Sequence, residues 1–265
     1  MALVLKKIYT GYHWLIYENT DPRAENYIET SVSFLVGFIF LYHSVIRYIG
    51  PKLMKERKPF NITNILMIYN VLQILVNVWF MIKHSYIFRK IHHECIPIDF
   101  STNEQSLLEL SAVRHFFWLK MFDCLETVFF VLRKSFRQVS FLHLYHHSGM
   151  VIALWLATRS YGGGHSLIIG ALNTIVHAVM FFYYLLTSID PSWKKSIAFK
   201  RSLTQMQIVQ FLYIIFSFGR ILITPECPYP KLPCYLVTCQ GFFMITLFAD
   251  FYWKTYISTS KKERK

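Results

Sequence analysis

Seven apolar stretches, each close to the roughly 20 residues that a helix needs to cross a lipid bilayer, limit what this chain can fold into. They run over 28 to 49, 62 to 86, 112 to 132, 138 to 158, 165 to 187, 203 to 223 and 235 to 256. A backbone in hydrocarbon must satisfy its own hydrogen bonds, which a helix does within one segment. With 54% of the 265 residues hydrophobic and 16% charged, a soluble core is a poor alternative. The expectation is an all-α, polytopic membrane protein with seven transmembrane helices and its termini on opposite sides. No long linker, low-complexity tract or second composition class interrupts the spans, so residues 1–265 read as a single domain.

Basic residues orient the spans. One side holds Arg47, Lys52, Lys55, Arg57 and Lys58; Arg133, Lys134 and Arg137; Lys194, Lys195, Lys200 and Arg201; and Lys254 with Lys261, Lys262, Arg264 and Lys265. The other side holds fewer, so the C-terminus is expected in the cytosol and the N-terminus outside it. Juxtamembrane Lys and Arg meeting anionic lipid account for the net charge of +13 without a nucleic-acid partner. Leu3-Val4-Leu5 before Lys6 and Lys7 is too short for a secretory leader. Cys95 and Cys227 fall in non-cytosolic loops, where an oxidising lumen permits a disulfide; Cys234 is a rival partner. Cys124 and Cys239 read as buried thiols within helices. The sequon Asn61-Ile62-Thr63 is on the cytosolic side and is expected to be unmodified.

Within the spans, polar residues form stripes. His143, His146 and His147 fall within an arc of roughly 100° on one helix face. Asn70, Gln73 and Asn77 share another face, as do Lys120, Asp123, Glu126 and Thr127; Asn173, His177, Met180 and Tyr184; and Thr204, Gln207 and Gln210. Polar groups of this kind must face each other or water rather than lipid. His146 and His177 both lie roughly 13 to 15 Å from the cytosolic ends of their helices, at 1.5 Å rise per residue. The stripes therefore suggest a polar, cytosol-facing chamber with an apolar acyl tunnel beyond it. Asn70, Gln73 and Asn77 serve either interhelical hydrogen bonding or substrate contact. Tyr161-Gly162-Gly163-Gly164 reads as a turn rather than a phosphate cradle. The other histidines, including His43, His84, His92, His93, His115 and His165, read as interfacial, loop or packed residues.

Several motifs in order resemble the very-long-chain fatty acid elongase family. They are Asp21-Pro22-Arg23; Gly50-Pro51-Lys52-Leu53-Met54 with Arg57-Lys58-Pro59-Phe60; Lys120 to Thr127, similar to K-x-x-E-x-x-D-T with its two acids exchanged; and the H-x-x-H-H box from His143 to His147. Asn173 to Tyr184 is similar to N-x-x-H-x-x-M-Y-x-Y-Y, with Phe181 in place of a tyrosine, and Thr204, Gln207 and Gln210 fit T-x-x-Q-x-x-Q. The resemblance implies a condensing enzyme of the endoplasmic reticulum membrane that joins acyl-CoA and malonyl-CoA into a 3-ketoacyl-CoA two carbons longer.

In that chemistry His146 is the acylated nucleophile, His177 the base or orienting group and Asn173 a hydrogen-bond donor. His143 and His147 hold the imidazole or contact CoA, each with its tautomer set by a partner. Lys120, Asp123, Glu126 and Gln207 support them, and Arg133, Lys134, Arg137, Lys200 and Arg201 stand where CoA phosphates or lipid headgroups would arrive. The resemblance implies no metal or other cofactor, because the condensation is redox-neutral. Other enzymes of the elongation cycle and homo- or hetero-oligomers with related elongases are the partners it implies. Gln138 and Leu144 resemble branches other than those specialised for palmitoyl-range substrates. Lys261 and Lys262 resemble a dilysine retrieval signal displaced by one position. A diiron membrane desaturase or hydroxylase also carries such a box, but needs more histidine ligands for two irons. A non-catalytic seven-helix receptor or transporter would explain the spans but not the stripes.

Overall fold

A computed structural model describes residues 2–90 and 95–258. His92, His93, Lys261 and Lys262 lie outside the described residues. Within these residues the chain is helical and has no strand. The helices are α1 (Ala2–His13), α2 (Val32–Ser44), α3 (Gly50–Met54), α4 (Thr63–Lys83), α5 (Tyr86–Lys90), α6 (Glu104–Asp123), α7 (Leu125–Leu132), α8 (Phe141–Ser160), α9 (Leu167–Ile189), α10 (Ile197–Ile223) and α11 (Lys231–Tyr252). Among the described residues, five helical segments are long and apolar enough to cross a membrane: Val32–Met54, Thr63–Lys83, Gly164–Ile189, Ile197–Ile223 and Lys231–Ser258. The protein is a membrane protein. The expected spans at 112 to 132 and 138 to 158 are absent from that group because α6, α7 and α8 carry the charged and histidine residues.

The chain forms two compact units. The first comprises Met1–Asn61 and Ile98–Ser166, the second Ile62–Pro97 and Leu167–Lys265. In the first, α6 packs along α8, and α3 packs against α7. Side chains start these helices by satisfying backbone N–H groups that have no intrahelical acceptor. Asn103 accepts from Ser106 N at 2.8 Å before α6, and Ser140 accepts from His143 N at 3.2 Å before α8. α6 therefore begins well before residue 112, where apolarity alone placed a span. Its first half joins a polar pole instead of lipid.

Arg23 organises that pole. Its guanidinium donates to both carboxylate oxygens of Asp21 (2.9 and 2.6 Å) and to the carbonyls of Asp99 (2.7 Å), Ser106 (3.0 Å) and Gly162 (2.7 Å). The Arg23 and Asp21 side chains are 2% and 0% exposed. Beside them Arg114 pairs with Glu29 at 2.7 Å, and Glu109 accepts from Gly164 N at 3.0 Å. Gly163 has φ +134°, a conformation that side chains rarely adopt, and a Cβ there would meet Glu109 Oε2 at 3.1 Å.

The helix begun by α2 passes through a π-helical turn, Val45–Ile49, into α3. Gly50 N donates to Val45 O across this turn. A Cβ on Gly50 would lie 2.7 Å from both Val45 O and Val131 Cγ1, so only glycine lets α3 approach α7 this closely.

In the second unit α4 packs on α9, α9 on α10, and α10 on α11. Cys95 and Cys227 are joined as a disulfide with a Cα–Cα distance of 5.7 Å, while Cys234 is a free, buried thiol. Cys124 is buried, but Cys239, expected to be buried, is exposed on α11.

Candidate functional site

The helix tightens where α6 passes into α7. Cys124 N bonds Met121 O and Thr127 N bonds Cys124 O, both at 3.2 Å. These three-residue closures bring positions i and i+3 into register, placing Lys120, Asp123 and Glu126 in one column. Lys120 Nζ donates to Asp123 Oδ2 at 2.8 Å, with side chains only 2% and 1% exposed. The two charges thus meet each other inside the unit. The exchange of the two acids relative to the family motif leaves the shorter one on the lysine and the longer one free to reach α8. Glu126 Oε2 lies 4.0 Å from His147 Nε2.

The first turns of α8 present the histidine box to that column. His143 and His147 rings are 4.3 Å apart, and His146 stands nearly perpendicular to His147 at 5.6 Å. Thr127 Oγ1 lies 2.8 Å from His143 Nε2 and 2.8 Å from the Tyr42 hydroxyl. His43 Nε2 lies 2.9 Å from Ser148 Oγ, next to the box. Within the first unit the structure therefore brings together Lys120, Asp123, Glu126, His143, His146 and His147. It adds Tyr42 and Ser148, which sequence reading passed over, and His43, which it read only as an interfacial, loop or packed residue. His143 is engaged by Thr127 and His147 by Glu126. His146, half-buried, makes no hydrogen bond or ion pair among the described residues.

Glu126, His143 and His147 each offer one ligand atom, all within 4.8 Å of one another. Two imidazoles and a carboxylate form a donor set that suits zinc or non-haem iron. This is the one such group among the described residues, and three donors fall short of what two octahedral irons require.

The second unit carries the other stripes. Asn173 and His177 are buried on α9, and Asn173 Oδ1 has no hydrogen-bond partner among the described residues. Phe181, which stands where the family motif has tyrosine, is 0% exposed. It packs against Tyr69, His177 and Tyr184 at 5.8, 5.8 and 6.0 Å between ring centroids, so a bare ring suits the position. Gln207 Nε2 lies 3.9 Å from Met180 Sδ. On α4, Gln73 donates to the Tyr69 hydroxyl and Asn77 donates to the Gln73 carbonyl, each at 2.8 Å, giving a buried polar ladder.

The basic residues expected at CoA phosphates differ in how they are held. Arg133 and Arg137 are exposed. Lys134, with φ 54°, donates to Lys55 O at 3.1 Å. Arg201 donates to the Tyr252 hydroxyl at 2.6 Å, and Lys200 is half-buried.

Comparison with known proteins adds an independent line. The GNS1/SUR4 (ELO) family profile matches residues 27–264. A very long chain fatty acid elongase of Aedes aegypti is 32% identical, over 99% of this chain and 74% of its own length. Very long chain fatty acid elongase 4 of Homo sapiens is 31% identical over 94% of this chain and 80% of its own. Very long chain fatty acid elongase 7 of Rattus norvegicus is 31% identical over 92% and 88%.

Proposed function

Because the chain belongs to the GNS1/SUR4 (ELO) family, whose curated relatives are very long chain fatty acid elongases, we propose that it catalyses the condensing step of fatty acid elongation. Acyl-CoA and malonyl-CoA are its substrates. A 3-ketoacyl-CoA two carbons longer, carbon dioxide and CoA are its products. The observation that carries the mechanism is the uncommitted imidazole of His146 among two committed neighbours. A nucleophile needs a free lone pair, and His146 alone in the box has no competing partner among the described residues.

His146 attacks the thioester carbon and CoA leaves as the thiol, so the acyl group is carried as an acyl-imidazole. Decarboxylation of malonyl-CoA gives an enolate that attacks the acyl carbon and restores the imidazole. The family motif gives His177 the part of base or orienting group and Asn173 that of donor through Nδ2, while the unpaired Asn173 Oδ1 leaves an acceptor for a donor group of the substrate. No electron is gained or lost overall, so the reaction calls on no nicotinamide or flavin, and with imidazole as the nucleophile it needs no metal to generate one. Acyl burial excludes water, which would otherwise hydrolyse the intermediate.

Seven spans, with α6–α7 and α8 as the two polar ones, would enclose the chamber. The basic loops favour a luminal N-terminus and cytosolic C-terminus in the endoplasmic reticulum. The Cys95–Cys227 disulfide supports the same orientation, since such bonds persist in an oxidising lumen. Other enzymes of the elongation cycle and a homo- or hetero-oligomer of elongases complete the reading.

Purified protein in detergent tests it. With acyl-CoA alone it releases CoA and gains the mass of one acyl group, and His146→Ala, still folded, does neither. Full condensation by that variant refutes the nucleophile assignment. The Glu126, His143 and His147 donor set favours one second reading, a metal-dependent desaturase or hydroxylase. Stoichiometric iron with oxygen-dependent turnover would establish that reading instead.

A further inference from the structure

We propose that Tyr42, acting through Thr127, is a positioning residue that holds His143 as the neutral tautomer protonated on Nδ1. The inference rests on the elongase reading above for its consequence in turnover, and on geometry alone for the tautomer. Tyr42 lies on α2, Thr127 in the first turn of α7 and His143 in the first turn of α8. Their polar atoms form a chain with two links of 2.8 Å. Residues 85 and 16 positions apart are thus joined at one point.

Proton counting sets the direction of the chain. Tyr42 is 6% exposed, and Thr127 Oγ1 is its one hydrogen-bond partner among the described residues. Were Thr127 to donate to Tyr42, the phenolic proton would be buried with no acceptor, which is unfavourable. Tyr42 therefore donates to Thr127. The single Thr127 proton then points to His143 Nε2, which must accept it. An imidazole that accepts at Nε2 while neutral carries its proton on Nδ1. The arrangement keeps Nε2 of His143 occupied and leaves the Nδ1 proton as the one this ring can offer. His143 is thereby a fixed donor rather than a second base beside His146. The other titratable groups around it are Glu126 on α7, His146 and His147 on α8, and the Lys120–Asp123 pair on α6.

Tyr42→Phe keeps the ring and removes the donor, so Thr127 can turn and His143 can exchange tautomers. The expected result is a fall in kcat of about 10- to 100-fold, the usual range for loss of an orienting partner, with KM for acyl-CoA nearly unchanged. Thr127→Val has the same effect and the double variant is no worse than Thr127→Val alone, whereas Thr127→Ser recovers most of the rate. Independently of turnover, 15N shifts of labelled histidine, with His143 assigned through His143→Gln, report the Nδ1–H tautomer in the wild type. They report a tautomer mixture in Tyr42→Phe. An Nε2–H tautomer in the wild type overturns the relay even if the protein elongates fatty acids. Additive losses, or a Tyr42→Phe variant that is less stable but keeps the wild-type tautomer, overturn it as well. A correct tautomer in a protein that does not condense malonyl-CoA refutes the elongase reading and leaves the relay standing.

Discussion

Replacing Arg23 with methionine removes a buried charge whose surroundings are fully specified. Asp21, 0% exposed, keeps only the Arg23 backbone N–H at 2.9 Å, and the Asp99, Ser106 and Gly162 carbonyls each lose a donor. Stranding one partner of a buried ion pair costs about 3–5 kcal/mol. The Asp99 carbonyl adds least, being exposed and open to water. At about 2–4 °C per kcal/mol for a chain somewhat smaller than this one, the thermal midpoint should fall by about 6–20 °C. Arg23→Lys keeps the charge but cannot reproduce the planar fork that reaches two carboxylate oxygens and three carbonyls, so it should fall between wild type and Arg23→Met. Removing both charges, with Arg23→Met and Asp21→Asn together, should destabilise less than the sum of the two single changes. The clamp sits about 21 Å along α6 from Lys120, counting 1.5 Å per residue, so turnover of the folded variant at low temperature should be close to wild type. Thermal unfolding in detergent with a parallel condensation assay reads both quantities. A midpoint shift under about 2 °C, or strict additivity in the double variant, would refute the account of the pole.

Other perturbations separate the remaining features. Zinc should inhibit condensation by occupying Glu126, His143 and His147, and Glu126→Gln should raise the half-inhibitory concentration at least about tenfold; equal sensitivity in both proteins would exclude that donor set. Cys227→Ser opens a cross-link between residues 132 apart and should lower stability by up to about 5 kcal/mol on the chain-entropy account, read as a reductant-sensitive midpoint that the variant has already lost. Asp99 accepts from Ser101 N and Asn103 Nδ2, and these bonds, with the Arg23 charge, hold its carboxyl below the ordinary 3.8. The folded state thus favours the ionised form, and the contribution is present above that value and lost as pH falls below it. Asp99→Asn should flatten the acid limb of thermal stability below about pH 4, and an unchanged limb would assign the acid sensitivity elsewhere.

Helical class was legible because apolar runs of bilayer length allow little else, and the box and acid stripe were legible as face-sharing sets on single helices. What escaped has a common cause. Tyr42 meets Thr127 across 85 positions and Arg23 meets Gly162 across 139, and periodicity within one helix carries no information on such pairs. The early start of α6 was missed because Asn103 was not weighed as a cap. Cys239 was misplaced because an apolar neighbourhood in sequence does not show which face of a helix packs against the rest of the protein.

The π-helical turn at Val45–Ile49 bears on how this chain can change length. A wide turn holds one residue more than a regular helix needs, so deleting one residue there can be absorbed by closing the turn to α geometry. Tyr42 and His43 before it, and Lys52 and Met54 after it, would keep their places. The same deletion between Val32 and Phe40 would turn the preceding segment by about 100° against the rest. Insertions and deletions in this span should therefore collect at the wide turn, which acts as the slack in an otherwise phase-locked rod.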